Sequence, residues 1–126
     1  MYSHMMVGSN DIDRSKQFYD ALFQSIGGGE AMVDPKGRLM YMLNDGIFMV
    51  TPPIDGEGAT PGNGMTVGFA MENPAQADAW HKAGVEAGGT SIEDPPGVRE
   101  NPAMNLYLAY LRDPDGNKLC ALHRMG

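Results

Sequence analysis

The chain has 126 residues, of which 42% are hydrophobic and 20% are charged. This length and composition suit one compact soluble domain and argue against a disordered or membrane-spanning chain. Nine Lys and Arg against sixteen Asp and Glu give a formal net charge of -7, with no basic stripe, so we expect neither a nucleic-acid nor a membrane partner. The single cysteine cannot form an intrachain disulfide and the N-terminus shows no export signal, so we expect a cytoplasmic protein.

The first half of the chain is divided by glycine, proline and Asn/Asp clusters into segments that predict one helix and four strands. Apolar residues recur at helical spacing from Ile12 to Ile26. Asn10 or Asp11 can cap the start of this helix, and Gly27 can end it. The predicted strands are SHMMVG (3–8), GGEAMVD (28–34), RLMYMLN (38–44) and GIFMVTP (46–52).

The second half repeats the same order of elements. Asn73 is a predicted N-cap, Pro74 occupies the first helical position, and an Ala and Trp stripe runs to Gly88. The predicted strands are GMTVGFAME (64–72), GTSIED (89–94), AMNLYLAYLR (103–112) and NKLCALHR (117–124). A longer loop, DPPGVRENPA (94–103), holds the extra residues of this half.

The repeat predicts an α+β fold with two βαβββ modules in a single domain, residues 1–126. We place module 1 at about 1–52 and module 2 at about 64–126, joined by a breaker-rich linker at 53–63. One helix can cover only one face of a four-stranded sheet. We therefore expect a curved mixed sheet around a cleft, formed within the chain or across a homodimer, and small molecules bind in clefts of this kind.

Two segments carry a resemblance to a known family. SHMMVGSNDIDRSKQFYDALF at the start and YLRDPDGNKLCAL near the end, together with the tandem βαβββ layout, resemble the vicinal oxygen chelate superfamily. This superfamily includes glyoxalase I, bleomycin- and fosfomycin-resistance proteins and extradiol dioxygenases. The resemblance covers nearly the whole chain and implies a glyoxalase-like fold. It does not fix the reaction, because one fold hosts many functions.

The resemblance also implies a metal site in the cleft, with one ligand from the first strand and one from the last strand of each module, usually His and Glu. The first strand of module 1 supplies His4, whose mate in the repeat is Thr66. The last strand of module 2 supplies Cys120, and aligning the turn glycines of the two halves makes Val50 its mate. Because a divalent ion needs about three or four protein donors, we expect the family metal to be lost and no cofactor to bind. A divalent metal is the alternative.

Further cleft candidates come from the second half. Arg99 lies in the long loop, where a guanidinium can hold an anionic group through paired donors; a solvated loop arginine is the alternative. Tyr107 and Tyr110 are three residues apart on a strand, so one faces the helix and one the cleft, and we include Tyr110. Cys120 lies in an apolar strand, which favours a buried structural thiol over a nucleophile.

The sequence leaves three functions open. The first is a glyoxalase/bleomycin-resistance-type protein that binds a small organic molecule between its modules, with the metal site degraded, and we expect it to form a homodimer. Eleven methionines could give its cleft an adaptable apolar lining. The second is a metal-dependent lyase or isomerase that resembles lactoylglutathione lyase. The third is an antibiotic-sequestering resistance protein. If the chain is an enzyme, we expect a glyoxalase-like lyase or isomerase.

Overall fold

The structure is a computed structural model that describes residues 1–126. Its elements are β1 (Met5–Gly8), α1 (Ile12–Gln24), β2 (Met32–Val33), β3 (Leu39–Leu43), β4 (Gly46–Thr51), β5 (Val67–Ala70), α2 (Pro74–Glu86), β6 (Thr90–Ser91), β7 (Gly97–Arg99), β8 (Asn105–Arg112) and β9 (Lys118–Met125). This order confirms the predicted α+β class. Neither helix has the length and apolar content needed to cross a bilayer.

The strands form two sheets, one from each half of the chain. Sheet 1 has the order β1-β4-β3-β2, and sheet 2 has the order β5-β9-β8-β6, with β7 also paired to β8. In both sheets the first strand runs parallel to the last strand of its half, and the other pairs are antiparallel. β1 and β5 are therefore edge strands, each paired on one side only.

One strand lies where the sequence predicts a loop. Gly97–Arg99 within DPPGVRENPA forms β7 and pairs antiparallel with Leu106–Leu108 of β8. Neighbouring prolines and a glycine signal a loop in the sequence, and only the long-range pairing to β8 makes these three residues extended. β7 fixes the place of Arg99 beside sheet 2.

Both helices begin at predicted caps. The side chain of Asp11 accepts a hydrogen bond from the backbone N–H of Arg14, and that of Asn73 accepts one from the N–H of Gln76. These bonds satisfy amides that the first helical turn would otherwise leave unpaired. The buried residues of the helices are Ser15, Phe18, Tyr19, Leu22 and Phe23 in α1 and Ala77, Trp80 and Gly84 in α2.

The two halves share one apolar core, because the helix-covered side of each sheet meets the other half. α1 and α2 are in close contact: a Cβ at Gly84 of α2 would lie 3.1 Å from Leu22 Cδ1 of α1. Phe69 of β5 reaches into module 1, with its ring centroid 5.5 Å from that of Phe23 and 5.4 Å from that of Phe48. The other side of each sheet, which we call its open side, faces away from this core.

A buried carboxylate lies where module 2 meets module 1. Asp113 follows β8 and is 4% exposed. It accepts hydrogen bonds from the backbone N–H groups of Asp115 and Asn117, from the side-chain amide of Asn117, and from the phenol of Tyr19 on α1. The Asn117 amide also donates to the carbonyl of Gly8 at the end of β1, at 3.0 Å.

Asp115 extends the same contact to the start of α1. Its carboxylate accepts hydrogen bonds from the backbone N–H of Asn10 and from the guanidinium of Arg14, both at 2.9 Å. We call Asp113, Asp115 and Asn117 the inter-module clamp. The carboxylates of Asp113 and Asp115 accept hydrogen bonds from module 1, and the amide of Asn117 donates one to it. The clamp therefore holds β1 and α1 against the turn between β8 and β9.

We expect Asp113→Asn to lower the free energy of unfolding by about 2–4 kcal/mol, because an amide there would direct N–H donors at the donors of Tyr19 and Asn117. Urea unfolding followed by circular dichroism measures this loss. Asp45→Asn is the matched control, because Asp45 is exposed, and we expect a change within about 0.5 kcal/mol. Equal stabilities of the two variants would contradict the clamp.

Candidate functional site

The predicted cleft position Val50 is corrected by the structure. Val50 has 0% exposure and belongs to the shared core, on the helix side of sheet 1. Met49 points to the open side instead, because successive side chains of a strand alternate between faces. Met49 pairs with Met6 in sheet 1, as Cys120 pairs with Gly68 in sheet 2. Met49 is therefore the structural mate of Cys120.

The error arises from the turns that precede the last strands. In module 1, two residues separate Leu43 from its ladder partner Gly46. In module 2 the corresponding positions are Asp113 and Asn117, joined by a backbone hydrogen bond, and three residues separate them. The turn glycines are thus not equivalent, and aligning them shifts β4 by one residue, which reverses the face of every side chain.

Three predicted site residues come together on the open side of sheet 2. Tyr110 of β8 and Cys120 of β9 are direct partners in the ladder. Arg99 of β7 lies beside the same strand β8. Its guanidinium folds back and donates to the carbonyls of Asp94 and Pro95, each at 3.0 Å. Pairing of β7 to β8 is what brings the loop arginine to this cluster.

The electrostatics of this cluster do not activate the thiol. Burial raises the pKa of Cys120 and outweighs the hydrogen bond with Tyr110, which lowers it. The carboxylate of Glu93 raises this pKa further, against the smaller opposing charges of Lys118 and Arg99. Burial also raises the pKa of Tyr110. Lys118 forms an ion pair with Glu93, and its ammonium lies 4.9 Å from the centroid of the Tyr110 ring. Cys120 is therefore a protonated, weakly nucleophilic thiol at neutral pH.

His4 of module 1 lies apart from this cluster, and Thr66 lies at its margin. His4 is exposed, and its Nδ1 forms a 2.8 Å hydrogen bond with Ser3 Oγ. Thr66 is exposed and directly precedes β5 of sheet 2. The open sides of the two sheets face away from the shared core, so one chain does not bring His4 and Cys120 into a common cleft. The homodimer that could do so stays a prediction.

The residues at the family's ligand positions do not fit a divalent metal. With the corrected register these positions hold His4, Met49, Thr66 and Cys120. None is a carboxylate, and the structure contains no group of three or more His, Cys, Asp or Glu side chains that could hold a metal ion. Zn²⁺ and harder ions prefer imidazole, thiolate and carboxylate donors, and a thioether and a lone hydroxyl are poor substitutes.

A separate pocket of about 260 Å³ opens between the two modules. We call it the inter-module pocket. Residues of β1, α1, β3 and β4 form its wall in module 1, and the whole of β5 forms its wall in module 2. Ten of its thirteen lining residues are hydrophobic, and none carries a charge. None of the six predicted site residues, His4, Val50, Thr66, Arg99, Tyr110 and Cys120, lines it.

Aromatic rings dominate the inter-module pocket. The lining rings are Phe23, Tyr41, Phe48 and Phe69. The centroids of Phe23 and Tyr41 are 4.7 Å apart in a stacked pair, while Phe69 meets Phe23 edge-on. The phenol of Tyr41 donates to Asp20 at 2.8 Å, and burial raises the pKa of Tyr41 far above its ordinary value. The ring of Tyr41 is thus neutral, its hydroxyl already has a partner, and Asn44 is the other polar side chain in the lining.

The sequence does not predict this pocket. Phe48 and Phe69 occupy alternating strand positions of the kind that fill any core, and nothing local distinguishes them from Val50, which has 0% exposure. The pocket exists because β5 packs against α1 and β4 without filling the space between them. That packing depends on contacts between residues far apart in the chain.

Comparison with known proteins gives matches along the whole chain. The model of the Glyoxalase/Bleomycin resistance protein/Dioxygenase superfamily matches residues 2–121. The crystal structure of a glyoxalase/bleomycin resistance protein from Albidiferax ferrireducens T118 is 54% identical in sequence, with a TM-score of 0.94. The match covers 98% of this chain and 99% of that chain.

More distant structures share the fold. A glyoxalase-related enzyme from Fulvimarina pelagi is 19% identical with a TM-score of 0.71, over 98% of this chain and 87% of that chain. A glyoxalase/bleomycin resistance protein/dioxygenase family enzyme from Burkholderia phytofirmans PsJN is 17% identical with a TM-score of 0.73, over 98% of each chain. No curated protein matches. The family match and the relative that shares over half of its residues place this chain in the Glyoxalase/Bleomycin resistance protein/Dioxygenase superfamily.

Proposed function

We propose that this member of the superfamily binds a small, uncharged organic molecule in the inter-module pocket, and that binding needs no divalent metal. The observation that carries this proposal is the pocket itself. It has a volume of about 260 Å³ between the modules, its lining contains aromatic rings from both, and no charged side chain lines it.

The size of the pocket suits a ligand with a single ring. A dry protein cavity of about 150 Å³ is large enough to bind benzene, so a cavity of about 260 Å³ has room for a ring with one or two small substituents. Edge-on and stacked contacts with Phe23, Tyr41 and Phe69 would favour an aromatic ligand over an aliphatic one of equal size.

The polarity of the pocket argues for a neutral ligand. A carboxylate or ammonium would lose its hydration on entry and meet no opposite charge, because the lining has none. Arg99 and Lys118, the cations near Tyr110 and Cys120 on sheet 2, do not line the pocket. A neutral polar substituent, in contrast, could meet Asn44.

The two alternative functions gain less support from the structure. A lactoylglutathione lyase-like reaction depends on a metal that the residues at the family's ligand positions do not fit. Sequestration of a cationic antibiotic needs acidic groups, and none lines this pocket.

We expect 4-fluorotoluene to bind the protein, with broadening of its ¹⁹F resonance that saturates at one equivalent. Leu43→Trp should weaken this binding by about tenfold or more, because Leu43 lines the pocket and the larger ring would occupy ligand volume. Ile54→Trp is the matched control, because Ile54 is an exposed linker residue at 104%. Undiminished binding by Leu43→Trp would place the ligand elsewhere.

The charged analogue 4-fluorobenzoate should bind at least about tenfold more weakly than 4-fluorotoluene, because its carboxylate would be buried without a partner. The same ¹⁹F titration measures both ligands on the same sample. Equal or tighter binding of the benzoate would contradict the neutral-ligand proposal and would favour an anion site at Arg99.

Removal of divalent metal should leave the affinity for 4-fluorotoluene unchanged. The test is a titration of protein dialysed against EDTA beside protein supplied with Zn²⁺ or Mn²⁺. A loss of binding that either metal restores would overturn the metal-independent part of the proposal.

The thiol of Cys120 should react slowly with iodoacetamide at pH 7, because burial raises its pKa and the thiolate is the reactive form. The rate should rise with pH and reach half of its maximum at a higher pH than for the cysteine of a short unstructured peptide. Intact-mass spectrometry follows the reaction. Alkylation as fast as that of the free thiol at pH 7 would refute the assignment of Cys120 as a structural residue.

A further inference from the structure

Four methionines form a continuous row across the open side of sheet 1. Met6 of β1 pairs with Met49 of β4, Met49 pairs with Met40 of β3, and Met40 pairs with Met32 of β2. Each strand of the sheet thus contributes one methionine. We call these four residues the methionine row.

The row lies on one side of the sheet, because directly paired residues project to the same face. The neighbours of Met49 along β4, Phe48 and Val50, belong to the shared core on the opposite side. Met49 itself is only 8% exposed, although it is not part of that core. Its side chain is therefore enclosed by its neighbours on the open side, and the adjacent ones are Met6 and Met40.

The thioether sulfurs of the methionine row are soft metal donors. Met40 and Met49 are direct partners in an antiparallel pair, in which facing Cβ atoms are about 4.5–5.5 Å apart. Met6 lies on the other side of Met49 in a parallel pair, and neighbouring strands are about 4.7–4.9 Å apart. Three rotatable bonds then let each thioether sulfur turn toward a shared point. Thioethers select soft ions such as Cu(I) and bind hard divalent ions poorly.

We propose that the methionine row is a binding site for one soft monovalent ion, Cu(I), held by the thioethers of Met6, Met40 and Met49. This site is separate from the inter-module pocket, which none of the three residues lines. It also differs from a hard divalent site, because it uses no carboxylate. The two proposals can therefore fail independently.

The test uses Ag(I) as a soft ion that does not change oxidation state, in chloride-free buffer, with ¹³C-methyl-methionine protein. All samples carry Cys120→Ser, because a free thiol would compete for silver. We expect the methyl resonances of Met6, Met40 and Met49 to shift until one equivalent is added. Met65 and Met104 are off the row and 51% and 40% exposed, and their resonances should stay in place.

Replacing thioethers by hydrocarbon separates ligation from apolar packing. The double variant Met40→Leu with Met49→Leu keeps similar volume and should lose the stoichiometric shift of Met6. The control double variant, Met65→Leu with Met104→Leu, should keep the shifts of Met6, Met40 and Met49. Equal shifts for every methionine, no shift at one equivalent, or silver binding that survives the Met40 and Met49 substitutions would each overturn the proposal.

Discussion

The relative placement of the two modules is the constraint on which the rest of the structure depends, and the carboxylate of Asp113 is central to it. This carboxylate belongs to module 2, yet one of its hydrogen bonds comes from Tyr19 in module 1, and Asn117 beside it donates to Gly8. The linker between the sheets contains no helix or strand, so it cannot set the orientation by itself. The clamp and the shared core do so, and the inter-module pocket is the gap that this placement leaves between β5 and module 1.

Alternation of side chains along the strands then separates three chemical environments. The helix sides of both sheets hold the apolar core and the neutral aromatic pocket. The open side of sheet 2 carries Arg99, Tyr110 and Cys120, while the open side of sheet 1 carries the methionine row. The resemblance to the superfamily implies carboxylate ligands on strand positions of this kind, and Met49 and Cys120 offer a thioether and a thiol there. This difference in donor type is one basis of our proposal that binding needs no divalent metal.

Features set by local sequence could be predicted. The two helices, their caps at Asp11 and Asn73, and most strands follow from apolar period and from Gly, Pro and Asn punctuation. The α+β class follows from the repeat of those elements, the family from the resemblance of two segments to its known members, and both are confirmed. The alternation rule also places Tyr107 and Tyr110 on opposite faces, as the structure does: Tyr107 donates to Asp78 of α2, whereas Tyr110 pairs with Cys120.

Features set by long-range contacts could not be predicted from the sequence. The one-residue difference between the turns before β4 and β9 shifts the register and moves Val50 into the core, and no pattern within either turn reveals it. β7 becomes a strand only through β8, and the pocket exists only through the packing of β5 on α1 and β4. The candidate site was therefore less predictable than the fold, because it is built from distances between modules and not from motifs.

We propose that a neutral aromatic molecule binds between the modules without a divalent metal. A crystal of the metal-free protein soaked with bromobenzene tests it most directly, because the anomalous signal of bromine locates the ligand. We predict a single strong peak among the rings of Phe23, Phe48 and Phe69. A peak confined to the open side of either sheet, or none between the modules at saturating bromobenzene, would contradict the account.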